Sequence, residues 1–231
     1  MILWIVLFIL IIAISFVLAI RSMRDFQEIP SKDQDYGLFL IRKTFALEKN
    51  LLDSIHDDLG SSKQFLSFER LIKGDKSALC VYGPKNILLK YKIELDLLEL
   101  LDYTNVDLEY FSAWEEGPKN PKQLTSEEIR NYFKKFPPLS SDEQFWWQLI
   151  LFPKKDGHFQ TQIRAVVISA DASKRESLTF TLQNLEPNLL IKLPKAFSNA
   201  QLLDFYQKRS FNKSSNNPQL SSREALALLS I

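Results

Sequence analysis

Residues 65–82, FLSFERLIKGDKSALCVY, decide how the fold is read. Two strand-like runs, 65–72 and 77–82, flank Lys73-Gly74-Asp75-Lys76, and a polar, glycine-containing turn between such runs signals a β-hairpin. Ahead of the hairpin, 36–43 (YGLFLIRK) reads as a strand. Leu47, Leu51, Ile55 and Leu59 then recur every four residues as one face of a helix, and Gly60 suits its C-terminus. Behind the hairpin, 86–101 is ambiguous. Strict alternation at 89–97 suits a strand, but Leu97-Leu98 and Leu100-Leu101 break it, and Lys90–Glu94 and Lys92–Asp96 are opposite-charge i,i+4 pairs. A helix is the expectation there, followed by a strand at 106–111. The order β-α-β-β-α-β predicts an α+β fold with a ferredoxin-like domain over 36–112.

Proline and glycine then mark 113–141 as a Pro-rich linker, in which Thr125-Ser-Glu-Glu128 is a capping box opening a short helix. A second small α/β unit is expected over 142–211: strands 143–152 and 161–169 around Lys155-Asp156-Gly157, a helix begun by Ser173-Lys-Arg-Glu176, a strand at 189–193 and a helix at 198–208. Residues 212–231 read as a flexible tail, NKSSNNPQL at 212–220 leading to a helical stub that starts at Ser221-Ser-Arg-Glu224.

At the other end, residues 1–20 (MILWIVLFILIIAISFVLAI) carry no charge and a single polar side chain, Ser15. Roughly 20 helical residues cross a hydrocarbon core of about 30 Å. The expectation is a single transmembrane helix at 1–20 in contact with the lipid bilayer, then a tether at 21–35. A cleaved signal peptide fits less well, because no basic residue precedes the run and Val17-Leu18-Ala19-Ile20 offers no small-x-small site. Arg21, Arg24 and Lys32 follow the run, which by the positive-inside rule puts the C-terminal domain in the cytoplasm of a single-pass cell-membrane protein. The lone Cys80 agrees with that compartment.

The charge balance, 29 basic against 28 acidic residues for a net of +1, gives no bulk attraction to nucleic acid. Gly74-Asp-Lys-Ser77 has acidic residues, Glu69 and Asp75, where a phosphate-binding loop needs glycines, so it reads as the hairpin turn. His56 and His158 have no ligand neighbours at metal spacing and read as surface histidines, and Cys80 as a small buried hydrophobe. Asp57-Asp58 reads as a solvated helix face and Glu115-Glu116 as a loop. No catalytic, cofactor or metal constellation stands out, and the expectation is a non-enzyme without cofactor. In Phe145-Trp146-Trp147 adjacent strand residues face opposite ways, so Trp146 or Trp147 is the candidate partner-binding residue, one ring in the core and the other outward.

The hairpin ending Cys80-Val-Tyr-Gly-Pro-Lys85, the acidic DYTNVDLEY at 102–110, Glu143-Gln-Phe-Trp-Trp-Gln-Leu149 and Ser221-Ser-Arg-Glu-Ala-Leu-Ala-Leu-Leu229 form a series. It resembles the membrane-anchored domain that precedes the motor in TraG-like coupling ATPases of type IV secretion and conjugation. The resemblance covers most of 36–229, and the ATPase domain and its nucleotide motifs have no counterpart here. It implies a non-enzymatic scaffold or assembly module whose protein partner is a separately encoded ATPase. The alternative is a membrane-tethered nucleic-acid-binding domain using sheet aromatics, against which stand the neutral charge and the lack of an RNP-type motif. An enzyme assembled from scattered residues is a third reading that the sequence leaves open.

Overall fold

The computed structural model describes residues 2–24, 27–30, 35–105, 108–194, 196–212 and 217–230, with side chains in the first helix given at Trp4 and 7–17 only. Lys32 and the rest of 31–34, residues 25 and 26, the first two residues of the expected strand 106–111, and residues 213–216 of the expected tail lie outside the described residues.

Among the described residues no helix is long and apolar enough to cross a membrane. The first helix is α1 (Ile2–Arg24). The expected transmembrane helix at 1–20, its bilayer contact and the single-pass cell-membrane placement are corrected accordingly.

Instead of a ferredoxin-like domain followed by a separate α/β unit, the chain builds one antiparallel nine-stranded sheet. Its first half is β2 (Tyr36–Ile41), α2 (Lys49–Ser62), β3 (Leu66–Lys73), β4 (Lys76–Pro84), α3 (Lys85–Leu88) and β5 (Leu97–Leu100). Its second half is β6 (Phe111–Pro118), α4 (Ser126–Lys134), β7 (Gln144–Pro153), β8 (Phe159–Ile168), α5 (Ala172–Gln183) and β9 (Leu190–Lys192). Eight strands run in the order β5-β2-β4-β3-β7-β8-β6-β9, and the ninth, β11 (Gln219–Leu220), pairs with β8 off this path. Read outward from the centre, each half therefore runs second, third, first, fourth strand. The two second strands, β3 and β7, pair antiparallel from Leu66↔Leu151 to Lys73↔Gln144, with Glu69 opposite Gln148. Antiparallel pairing of equivalent strands is what a two-fold axis produces, so the halves are related by a pseudo-two-fold through this seam.

The boundary between halves falls one strand earlier than the periodicity suggests. Residues 86–101 are not one helix: after α3 comes a 3-10 turn (Leu89–Tyr91), and Asp96 takes a left-handed φ of 51°, which ends helical geometry before β5. Lys90 and Tyr91 bind Asp58 of α2, at 2.7 and 2.8 Å, instead of their own turn. The fourth strand is thus β5, and β6 opens the second half; Gly117 and Pro118, read as linker, pair with Ile191 and Leu190 of β9.

Strand alternation gives the sheet two buried faces. On one, α2, α4, α5 and α3 pack over Phe39, Phe68, Leu149, Trp147 and Ile163. On the other, α6 (Asn199–Gln207) packs over Ala113, Trp146 and Val166 through Leu202, Leu203 and Tyr206. β1 (Gln27–Glu28) pairs with β10 (Phe211–Asn212) as a separate ribbon.

The expected flexible tail contributes to the core. β11 (Gln219–Leu220) pairs with the start of β8, and α7 (Ser222–Leu229), opened by the Ser221/Glu224 capping box, buries Ala225, Leu228 and Leu229 against α2 and α4. The buried Arg70 donates to the Ser230 carbonyl at 3.0 Å and lies 3.7 Å from the Phe133 ring, a cation held at the C-terminal end of α7. Burial pushes its pKa down to about 10. Leu228→Ala is expected to lower unfolding free energy by about 2–5 kcal/mol in urea titration, whereas a tail position would change it by less than about 0.5 kcal/mol.

Candidate functional site

Polar residues recur at every second position in otherwise apolar strands: Ser67 and Glu69 in β3, Gln148 in β7, Gln162 and Arg164 in β8. The alternation turns them all to the α6 face, where they meet residues 101–105 and the α6–β10 connection. Glu69 is buried and accepts five hydrogen bonds. Its Oε1 takes Arg209 Nε at 2.7 Å, Ser67 Oγ at 3.0 Å and Gln148 Nε2 at 3.2 Å. Its Oε2 takes Tyr103 OH at 2.8 Å and Arg209 Nη2 at 3.2 Å. Arg209 also grips Asp102 through Nη1 at 2.7 Å and Nη2 at 3.0 Å, and its Cζ lies 4.2 Å from the Tyr82 ring. The Tyr103 and Tyr206 hydroxyls are 2.9 Å apart. Since Tyr103 gives its proton to Glu69, Tyr206 is the donor between them.

Arg164 forms the second node. It donates to Ser210 O at 2.7 Å, Phe205 O at 3.1 Å, Gln162 Oε1 at 3.1 Å, Glu115 Oε1 at 3.2 Å and Gln148 Oε1 at 3.3 Å. The Gln148 amide is thereby oriented: its oxygen accepts from Arg164 while its nitrogen donates to Glu69 and to Tyr206 O at 3.1 Å.

The electrostatics follow from these partners. Burial works against ionisation of Asp102, but the hydrogen bonds and charge of Arg209, with Thr104, outweigh it and hold the carboxyl below its ordinary range. Burial likewise opposes the charge on Arg209, and Glu69 and Asp102 overcome it, raising its pKa. Desolvation, with Glu69 nearby, lifts both tyrosines far above the ordinary phenol value, so they remain donors. The arrangement is a clamp in which each charge meets its opposite.

The sequence-level candidates lie elsewhere. Trp146 is 4% exposed, edge-on to Tyr103 at 5.0 Å, with its Nε1 donating to Gln144 Oε1 at 3.1 Å. Trp147 is 1% exposed on the opposite face. The two rings do point oppositely, but neither is free for a partner, because both faces of the sheet are covered. Glu116 is in β6, not a loop; its carboxylate accepts from Trp147 Nε1 at 2.8 Å and Trp114 Nε1 at 3.1 Å, and burial raises its pKa despite these bonds. His56 is buried rather than surface, edge-on to Phe159 with Nε2 3.2 Å from His158 O. Asp58, instead of being solvated, holds Lys90 and Tyr91. Cys80 is buried, its thiol pushed up to about 12 mainly by desolvation. Among the described residues no group of three His, Cys, Asp or Glu is placed to hold a metal.

No protein-family model matches the chain, and no curated protein does. Neither comparison supports a link to secretion or conjugation machines, and the membrane anchor that the link drew on is corrected above. The Cys80–Lys85 and Glu143–Leu149 motifs lie in β4, α3 and β7, while the described part of DYTNVDLEY has no strand structure.

Arg209→Ala leaves Glu69 buried without its cation and is expected to cost about 3–5 kcal/mol in denaturant titration. The stability that Asp102 contributes is present above its unfolded pKa of about 3.9 and is lost as pH falls through its lower folded value. Asp102→Asn is therefore expected to flatten the acid limb of stability plotted against pH, followed by thermal unfolding between pH 2 and 6 on the order of those bounds.

Proposed function

We propose that the chain is a non-enzymatic protein-binding module that recruits an extended partner segment along the free edge of its sheet at β5. The observation that carries this reading is the apolar character of that edge. β5 pairs with β2 on one side and, among the described residues, ends the strand order on the other. Around it Ile93 is 88% exposed and Leu101 95%, with Leu98 and Leu89 also exposed. An edge strand presents unpaired backbone groups, and proteins ordinarily protect such edges with charge, proline or a covering element. An added strand satisfies the backbone while alternate side chains find apolar contacts. Glu99, on the same face as the buried Leu97, is held by Lys85 at 2.8 Å. The buried clamp supports the same reading, since its charges are engaged in holding segments to the sheet.

A photo-crosslinking amino acid at Leu101 in the full chain, expressed in its own cells, is expected to trap one discrete protein. The adduct should disappear with Leu98→Asp and be absent when the probe is moved to Lys122. Equal labelling at both positions, or none at Leu101, overturns the reading.

A further inference from the structure

Where the C-terminal end of α2 meets the β7–β8 turn lies a groove of about 650 Å³, which shares no residue with the β5 edge. Phe152, Pro153 and Gly60 give it an apolar floor, and Lys63, Lys154 and Lys155 line it. None of these lysines forms an ion pair with a described residue. The nearby acids of α2 are engaged elsewhere, Asp53 with Lys49 at 2.6 Å and Asp58 with Lys90 at 2.7 Å. The one carboxylate in the lining, Asp57, has an 88% exposed side chain and lies 3.4 Å from the His56 ring. Lys63 also holds a left-handed backbone, φ 54°, as the C-cap of α2, a position that favours glycine. Three lysines and a single carboxylate thus line an apolar concavity, and the neighbouring turn acid, Asp156, faces His158 at 3.6 Å, which leaves the groove with an excess of positive charge.

We propose that this groove binds an acidic peptide segment of a partner protein, with an apolar side chain on Phe152 and Pro153 and carboxylates on Lys63, Lys154 and Lys155. Charge complementarity selects the acidic partner, and the concave floor between helix end and hairpin selects a side chain over a flat anionic surface. This site goes beyond the β5 edge, and its failure leaves the edge reading intact.

The test uses the full chain and a library of fluorescein-labelled hexapeptides, each with three Asp or Glu around one Leu, Ile or Phe, read by fluorescence polarisation. Members of the library are expected to bind saturably and to weaken at least about tenfold from 50 mM to 500 mM NaCl. Lys63→Glu/Lys154→Glu/Lys155→Glu should weaken them at least about tenfold. Gly60→Leu tests the groove itself. A Cβ there meets only Pro153 Cβ, at 4.0 Å, so the larger side chain suits the helix while filling the floor. It should abolish binding with every lysine in place, and circular dichroism should show the fold retained. Binding that survives Gly60→Leu overturns the groove, as does the absence of any saturable peptide. Binding to phosphatidylserine-containing vesicles without peptide binding assigns the charge to membranes and also overturns the proposal.

Discussion

Glu69 is fully buried in the middle of a nine-stranded sheet, and the join between the two halves of the protein depends on keeping its charge solvated by protein. Moving a carboxylate out of water costs several kcal/mol even after relaxation, so it persists only with near-complete hydrogen bonding. The donors that meet this need come from distant parts of the chain. Ser67 is its strand neighbour, Gln148 comes from the other half, Tyr103 from the segment after β5, and Arg209 from the end of α6. A single carboxylate thereby fixes the β3–β7 register and lays two otherwise irregular segments onto the sheet. A one-residue slip would turn Glu69 to the helix-packed face, among Phe68 and Leu149, where no such donors wait.

The same seam explains how both tryptophans come to be covered. A sheet with helices on one face only would leave Trp146 bare. Here α6 supplies Leu202, Leu203 and Tyr206 above it, and the Glu69–Arg209 bonds hold the connection after α6 close to the strands. Arg209 itself has φ 49°, a conformation that costs a residue with a β-carbon on the order of 1 kcal/mol. Its two carboxylate partners offset that cost.

Much of the element sequence was legible, for local reasons. The 36–43 strand, the 65–82 hairpin, the leucine repeat of α2 and the Thr125 and Ser221 capping boxes are set by alternation, period and side-chain caps within a few residues. What failed was non-local. Asp96 ends a helix-like stretch by adopting a left-handed conformation that tertiary contacts stabilise, including Arg42 at 2.7 Å. Pro118 can be a strand residue because β6 pairs there with β9, a partner far along the chain. Placing the fourth strand at 106–111 hid the repeat, since it gave the first half a strand too late and denied the second half its first. The clamp left a trace that could have been followed: Ser67 with Glu69 and Gln162 with Arg164 stand at spacing two inside apolar strands, which places them together on one buried face. Arg209, Asp102 and Tyr103 had no such marker, because three-dimensional closure alone brings them to Glu69.

The pseudo-two-fold also accounts for the chemistry at its centre. Glu69 and Gln148, on the two second strands, face each other directly across the seam. Two glutamates there would set buried carboxylates against each other, and one would have to be protonated. Two glutamines would leave Arg209 without its buried counter-ion. With one of each, Gln148 donates to Glu69 and accepts from Arg164, so a single hydrogen bond at 3.2 Å links an Arg209 node rooted in the first half to an Arg164 node rooted in the second. The unlike pair at this point of the seam is what lets the two halves meet in one continuous sheet with their buried charges bonded.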